Sequence, residues 1–124
     1  MGRERSHVRE NKRVVEEYME GFRQLDHARI LACLSDDVEW VLPGAFRLRG
    51  KQAFDAEIEN PAFAGAPKIR VDRMIEENDV VVAEGVVEAT KADGSTLQLA
   101  MCDVFEMRDE KIRRLTSYLM ELRR

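Results

Sequence analysis

In the run Leu99-Ala100-Met101-Cys102-Asp103-Val104-Phe105-Glu106, strand alternation puts Leu99, Met101, Asp103 and Phe105 on one face and their neighbours on the other. Asp103 is then the one carboxylate on an otherwise apolar face. If that face lines a pocket, loss of solvent disfavours the charged form and raises the pKa. The residue becomes a hydrogen-bond donor, or a base of useful strength near neutral pH. The competing reading pairs it with an arginine or leaves it at a rim. Tyr18 is a second candidate, on an apolar helix stripe where a tyrosine ordinarily packs its ring and satisfies its hydroxyl locally. Asp36-Asp37 and Glu76-Glu77 read as solvated turn residues. Cys33 and Cys102 sit in apolar stretches with no Cys-x-x-Cys spacing and no adjacent histidine, so they read as buried small hydrophobes. His7 falls in a charged N-terminal segment and His27 beside a helix cap, and neither reads as a poised base. No motif for a metal or a cofactor accompanies these residues.

The elements that must hold these groups follow from periodicity. Between Arg9 and Phe22, the residues Val14, Val15, Tyr18, Met19 and Phe22 recur at spacings of three and four, which marks one stripe of an amphipathic helix. Asp26 stands where it can cap a second, short helix over residues 27–34, with Ile30, Leu31 and Leu34 as its apolar face. Val38 to Leu42 reads as a strand stopped by Pro43-Gly44, and residues 45–50 as a loop or short strand. Lys51 to Ile58 is a brief helix, ended by Asn60-Pro61. Four long strands are then predicted at 69–76, 80–90, 96–108 and 111–122. Glu77-Asn78-Asp79, Asp93-Gly94 and Asp109-Glu110 separate them as the turns of an antiparallel meander. Helices first and strands afterwards predict an α+β layer architecture.

Composition bounds what such a domain can do. The 124 residues suffice for one core, so a single domain over 1–124 is expected, with residues 1–10 as a frayed terminus. A hydrophobic share of 44% beside 35% charged residues is that of a globular chain. The net charge of −4 supplies no global field for nucleic acid. No apolar run reaches the roughly 20 residues of a membrane span, and no secretory signal opens the chain. The expectation is a cytoplasmic protein without nucleic-acid or membrane partners.

Four segments carry a family resemblance: Gln24-Leu25-Asp26, the stretch from Leu34 to Trp40, Arg49-Gly50-Lys51, and the run from Asp103 to Ile112. Their order and spacing over roughly residues 11 to 122 resemble SnoaL-like sequences of the NTF2-like superfamily. The resemblance implies a cone in which N-terminal helices pack on a curved, mainly antiparallel sheet. Ketosteroid isomerases of that superfamily hold an oxyanion with a Tyr and an Asp, and the resemblance matches these roles to Tyr18 and Asp103. It places Leu42 where their base would stand. The acid and arginine set of limonene epoxide hydrolases matches Gly85, Val87 and Ser117 here, which lack that chemistry. SnoaL-type cyclases use an acidic base on a strand, for which Asp103 is the candidate.

Strand parity together with the family geometry predicts an apolar pocket walled by Tyr18, Trp40, Leu42, Phe54, Gly85, Val87, Leu99, Met101, Asp103, Ser117 and Leu119, holding a small apolar molecule. Trp40 and Leu42 also read as ordinary core. The opposite sheet face, with Val86, Cys102, Val104, Tyr118 and Met120, predicts a symmetric homodimer. Three classes of function stay open: an isomerase- or cyclase-type enzyme using Asp103 and Tyr18, a noncatalytic binder of a hydrophobic ligand, and a dimerisation module.

Overall fold

The apolar stripe of Val15, Tyr18, Met19 and Phe22 lies on α1 (Gly2–Gln24), which turns it onto a six-stranded sheet. A computed structural model describes residues 2–123, with side chains from residue 10 onward. The side chains of residues 1–9, including His7 and most of the segment expected to fray, lie outside the described set. The helix ends where Leu25 takes a left-handed conformation, φ 50°. There the Leu25 N–H donates to the Phe22 carbonyl and the Asp26 N–H to the Gly21 carbonyl, satisfying acceptors that the last turn leaves open. Asp26 then caps α2 (His27–Leu31), its carboxylate accepting from the Arg29 N–H at 3.1 Å.

The chain continues through β1 (Leu34–Leu42), β2 (Phe46–Arg49), α3 (Lys51–Ile58), β3 (Lys68–Glu77), β4 (Val80–Thr90), β5 (Thr96–Arg108) and β6 (Lys111–Glu121). Asn78-Asp79 and Asp109-Glu110 have positive φ at both positions. That geometry matches the twist of the strands they join and closes the β3–β4 and β5–β6 hairpins. The sheet order is β2-β1-β6-β5-β4-β3, with β1 and β6 parallel and every other neighbour antiparallel. Bulges in β1, β3 and β6 interrupt the register, and such irregularities bend a strand and increase its twist. The curved, unclosed sheet packs its inner face against α1 and α3.

Two boundaries differ from the expectation for one reason. The second helix stops at Leu31, and Leu34 already belongs to β1, because Leu34 pairs with Ile112 on β6 and the Ile112 N–H donates to the Cys33 carbonyl at 2.8 Å. A distant strand takes the residue that local spacing assigned to the helix. Asp36 and Asp37 consequently lie within β1, across its bulge, and not in a turn ahead of it. They stay exposed, and Asp37 accepts from Ser35 and Arg108.

Candidate functional site

Asp103 sits at mid-strand in β5, opposite Ser117 of β6 and Ala83 of β4. Its neighbours on the same face, Met101 and Phe105, are buried, and Asp103 itself is only 8% exposed. Burial pushes its pKa up from 3.8 to about 7, and a hydrogen bond with Ser117 acts in the opposite direction. The Trp40 indole N–H, which can only donate, gives its hydrogen bond to Ser117 Oγ at 3.1 Å. The Ser117 hydroxyl keeps its proton to donate to the ionised carboxylate, and a second lone pair that can accept from the protonated acid. Trp40 is in turn fixed by an offset stack on Phe54, with centroids 4.4 Å apart, and by Phe46 edge-on at 5.3 Å.

These groups border a cavity of about 240 Å³ between the sheet and the helices. Its lining includes Tyr18, Trp40, Leu42, Val87, Leu99, Met101, Asp103, Ser117 and Leu119 from the set singled out in the sequence. Phe54 and Gly85 stand behind that wall. Phe54 is fully buried beneath Trp40 and meets the edge of Tyr18. Gly85 serves strand packing, since a Cβ there would lie 1.9 Å from the Arg70 carbonyl oxygen of β3. Neither distinction is visible in parity, which records the face of a residue and not its depth.

The Tyr18 ring is wedged among Phe22, Phe54 and Phe105. Burial raises its pKa well above the usual value, and the charge of Asp103 raises it further, so the phenol stays protonated. Among the described residues no hydrogen bond joins Tyr18 to Asp103; the two are coupled through charge and through the cavity that both border.

Sequence reasoning missed the rim. Leu25, at its left-handed position, lines the cavity, as do Glu57, Glu59 and Asn60 at the end of α3, Phe63 and Pro67 in the following loop, and Ile69 at the start of β3. His27 bridges α2 to α3, with Nδ1 2.5 Å from Asp55 and Nε2 2.5 Å from Glu59, and these two acids raise its pKa. The cluster gives no local signal, because its members are about thirty positions apart in the chain. The cysteines carry no such arrangement: Cys33 is buried, with its thiol pushed up to about 11, and Cys102 lies half-buried on the outer face. Among the described residues no three His, Cys, Asp or Glu side chains converge as a metal group would. Among the described residues no helix is long and apolar enough to cross a membrane.

A family model described as a SnoaL-like domain matches residues 15–115. No curated protein matches the chain in sequence. Among solved structures it is similar to a putative polyketide cyclase from Xanthomonas campestris pv. campestris, 26% identical over 90% of this chain and 91% of that one, with a TM-score of 0.82. It is similar also to TerC co-crystallised with polyporic acid, 26% identical over 87% of this chain and 89% of that one, at a TM-score of 0.79. An LEH-like epoxide hydrolase from M. tuberculosis shares the fold at 22% identity, covering 90% of this chain and 83% of its own, with a TM-score of 0.80.

Proposed function

The chain belongs to the SnoaL-like domain family, and from that premise we propose that it takes a small apolar, carbonyl-bearing molecule into the cavity and acts on it in the manner of an isomerase or cyclase. Asp103 is the acid, base or oxyanion donor in this reading, and Tyr18 is its neighbour in the same role. The observation that carries it is the carboxyl itself. Asp103 is nine-tenths buried, borders the cavity, and has a pKa of about 7. Both protonation states are therefore populated near neutral pH, so one group can donate to a ligand oxygen and take a proton from a ligand carbon. The likeness to a putative polyketide cyclase, and to a protein crystallised with polyporic acid, agrees with a ligand of this kind.

A noncatalytic binder is the second reading. It is favoured by Leu42, an apolar wall residue where the resemblance to ketosteroid isomerases expects a base. The assembly that fits either reading is a homodimer through the outer sheet face, where Tyr118 and Met120 are exposed.

Thermal-shift screening of aromatic ketones and quinones tests both. A ligand at a hundred times its Kd should stabilise the protein by about 2.7 kcal/mol. Asp103→Asn and Tyr18→Phe should weaken or abolish that effect while the proteins remain folded. Conversion of a hit that disappears in Asp103→Asn marks an enzyme, and binding without conversion marks a binder. Hits indifferent to both substitutions would remove Asp103 from the site.

A further inference from the structure

Charge is distributed one-sidedly around the cavity. Its lining contains three carboxylates, Asp103 on the sheet and Glu57 and Glu59 at the rim, and no Lys, Arg or His among the described residues. Two cations beside the lining, Arg23 and His27, are already engaged. Arg23 donates to the Ile69 carbonyl at 2.9 Å and to Glu20 at 3.1 Å, and His27 lies between Asp55 and Glu59. Glu57 accepts from the Asn60 amide at 2.7 Å, and both residues line the cavity. α3 also ends at this rim, and a helix C-terminus carries partial negative charge. The remaining wall is apolar and aromatic, with Phe22, Trp40, Phe46 and Phe63 in the lining.

An anion entering such a cavity loses water and passes the rim carboxylates with no cation in the lining to offset the cost, whereas a cation or a neutral donor meets acceptors there. We infer that the pocket selects among apolar ligands by charge, admitting neutral and amine-bearing aromatic molecules and rejecting their carboxylate counterparts. The inference rests on the pocket reading above and narrows its ligand class. A single carbonyl or hydroxyl at the Asp103 end and a basic amine at the Glu57 end would match both poles of the cavity.

Naphthylmethanol, naphthylmethylamine and naphthoic acid share one ring system and differ in charge, so they serve as probes. Trp40, the only tryptophan of the chain, lines the cavity and reports their binding by its fluorescence. At low ionic strength the amine is expected to bind at least about tenfold more tightly than the acid, with the alcohol between them. The ratio of amine to acid affinity should shrink in Glu57→Gln. If the alcohol binds and the acid binds as well as the amine, charge selection is overturned and the pocket reading stands. An amine-to-acid ratio unchanged in Glu57→Gln overturns the assignment of selection to the rim. If none of the three perturbs Trp40 or raises the melting temperature, the pocket reading itself fails and this inference with it.

Discussion

At Asp103 the folded protein holds a proton more tightly than the unfolded chain does, with a pKa of about 7 against an ordinary 3.8. Because the folded value is the higher one, this group favours folding least when ionised. Its contribution is fully present below about pH 4, declines as pH rises, and levels off above about pH 7. At 1.36 kcal/mol per pH unit the loss is at most about 4 kcal/mol. Asp103→Asn removes the titrating group, so its stability relative to the native chain should grow by a few kcal/mol between about pH 4 and pH 8. Urea denaturation of both proteins across that range measures the difference, in which every other titrating group cancels. A difference that stayed constant with pH would mean that the carboxyl is solvated in the folded state. The same residue was legible in advance because alternation along a strand is local, and a carboxylate among leucine, methionine and phenylalanine stands out. Its partners were not: the link from Trp40 through Ser117 joins residues 77 positions apart.

Among the elements, β3 and β4 show how one residue can decide the course of a strand. Val71 pairs with Gly85 and Arg73 with Glu84, which leaves Asp72 as the extra residue of a bulge. At the bulge the β3 backbone runs so close to Gly85 that no side chain fits. Gly85→Ala should therefore push β3 away and destabilise the fold by about 1–3 kcal/mol, measured by denaturation, with amide protection lost first in β3. A change within about 0.5 kcal/mol would show that the bulge can slide to make room. The bounds of β4 and β5 could be read from the sequence because their turns consist of polar residues tolerant of left-handed geometry. The start of β1 could not, since Leu34 continues the spacing of Ile30 and Leu31 and is claimed only by Ile112. The sheet order was hidden for the same reason. The rim was hidden for another: Leu25 and the loop from Asn60 to Pro67 follow no period, and their place at the opening is decided by where α1 and α3 end.

For the molecule as a whole, the outer face of the sheet has unfinished packing. Rows of cross-strand partners such as Val86-Ala100-Met120 and Glu84-Cys102-Tyr118 cross it, and Ile75, Tyr118 and Met120 are exposed by 51%, 52% and 70%. A second copy placed there would withdraw these side chains from water. Sedimentation velocity at micromolar concentration is expected to give a dimer, and Met120→Glu a monomer of unchanged secondary structure. A native chain that sediments only as a monomer would remove the expectation. The parallel pairing of β1 with β6 has a kinetic consequence. Hairpins such as β3–β4 can close soon after their residues emerge, but Leu34 must wait for Ile112 and Trp40 for Ser117. Loops of that length close at an entropic cost that no contact offsets until the last strand docks. During synthesis the helices and the first strands therefore exist before the cavity does. The apolar wall of that cavity is, for that interval, open surface and a target for chaperones and for other nascent chains.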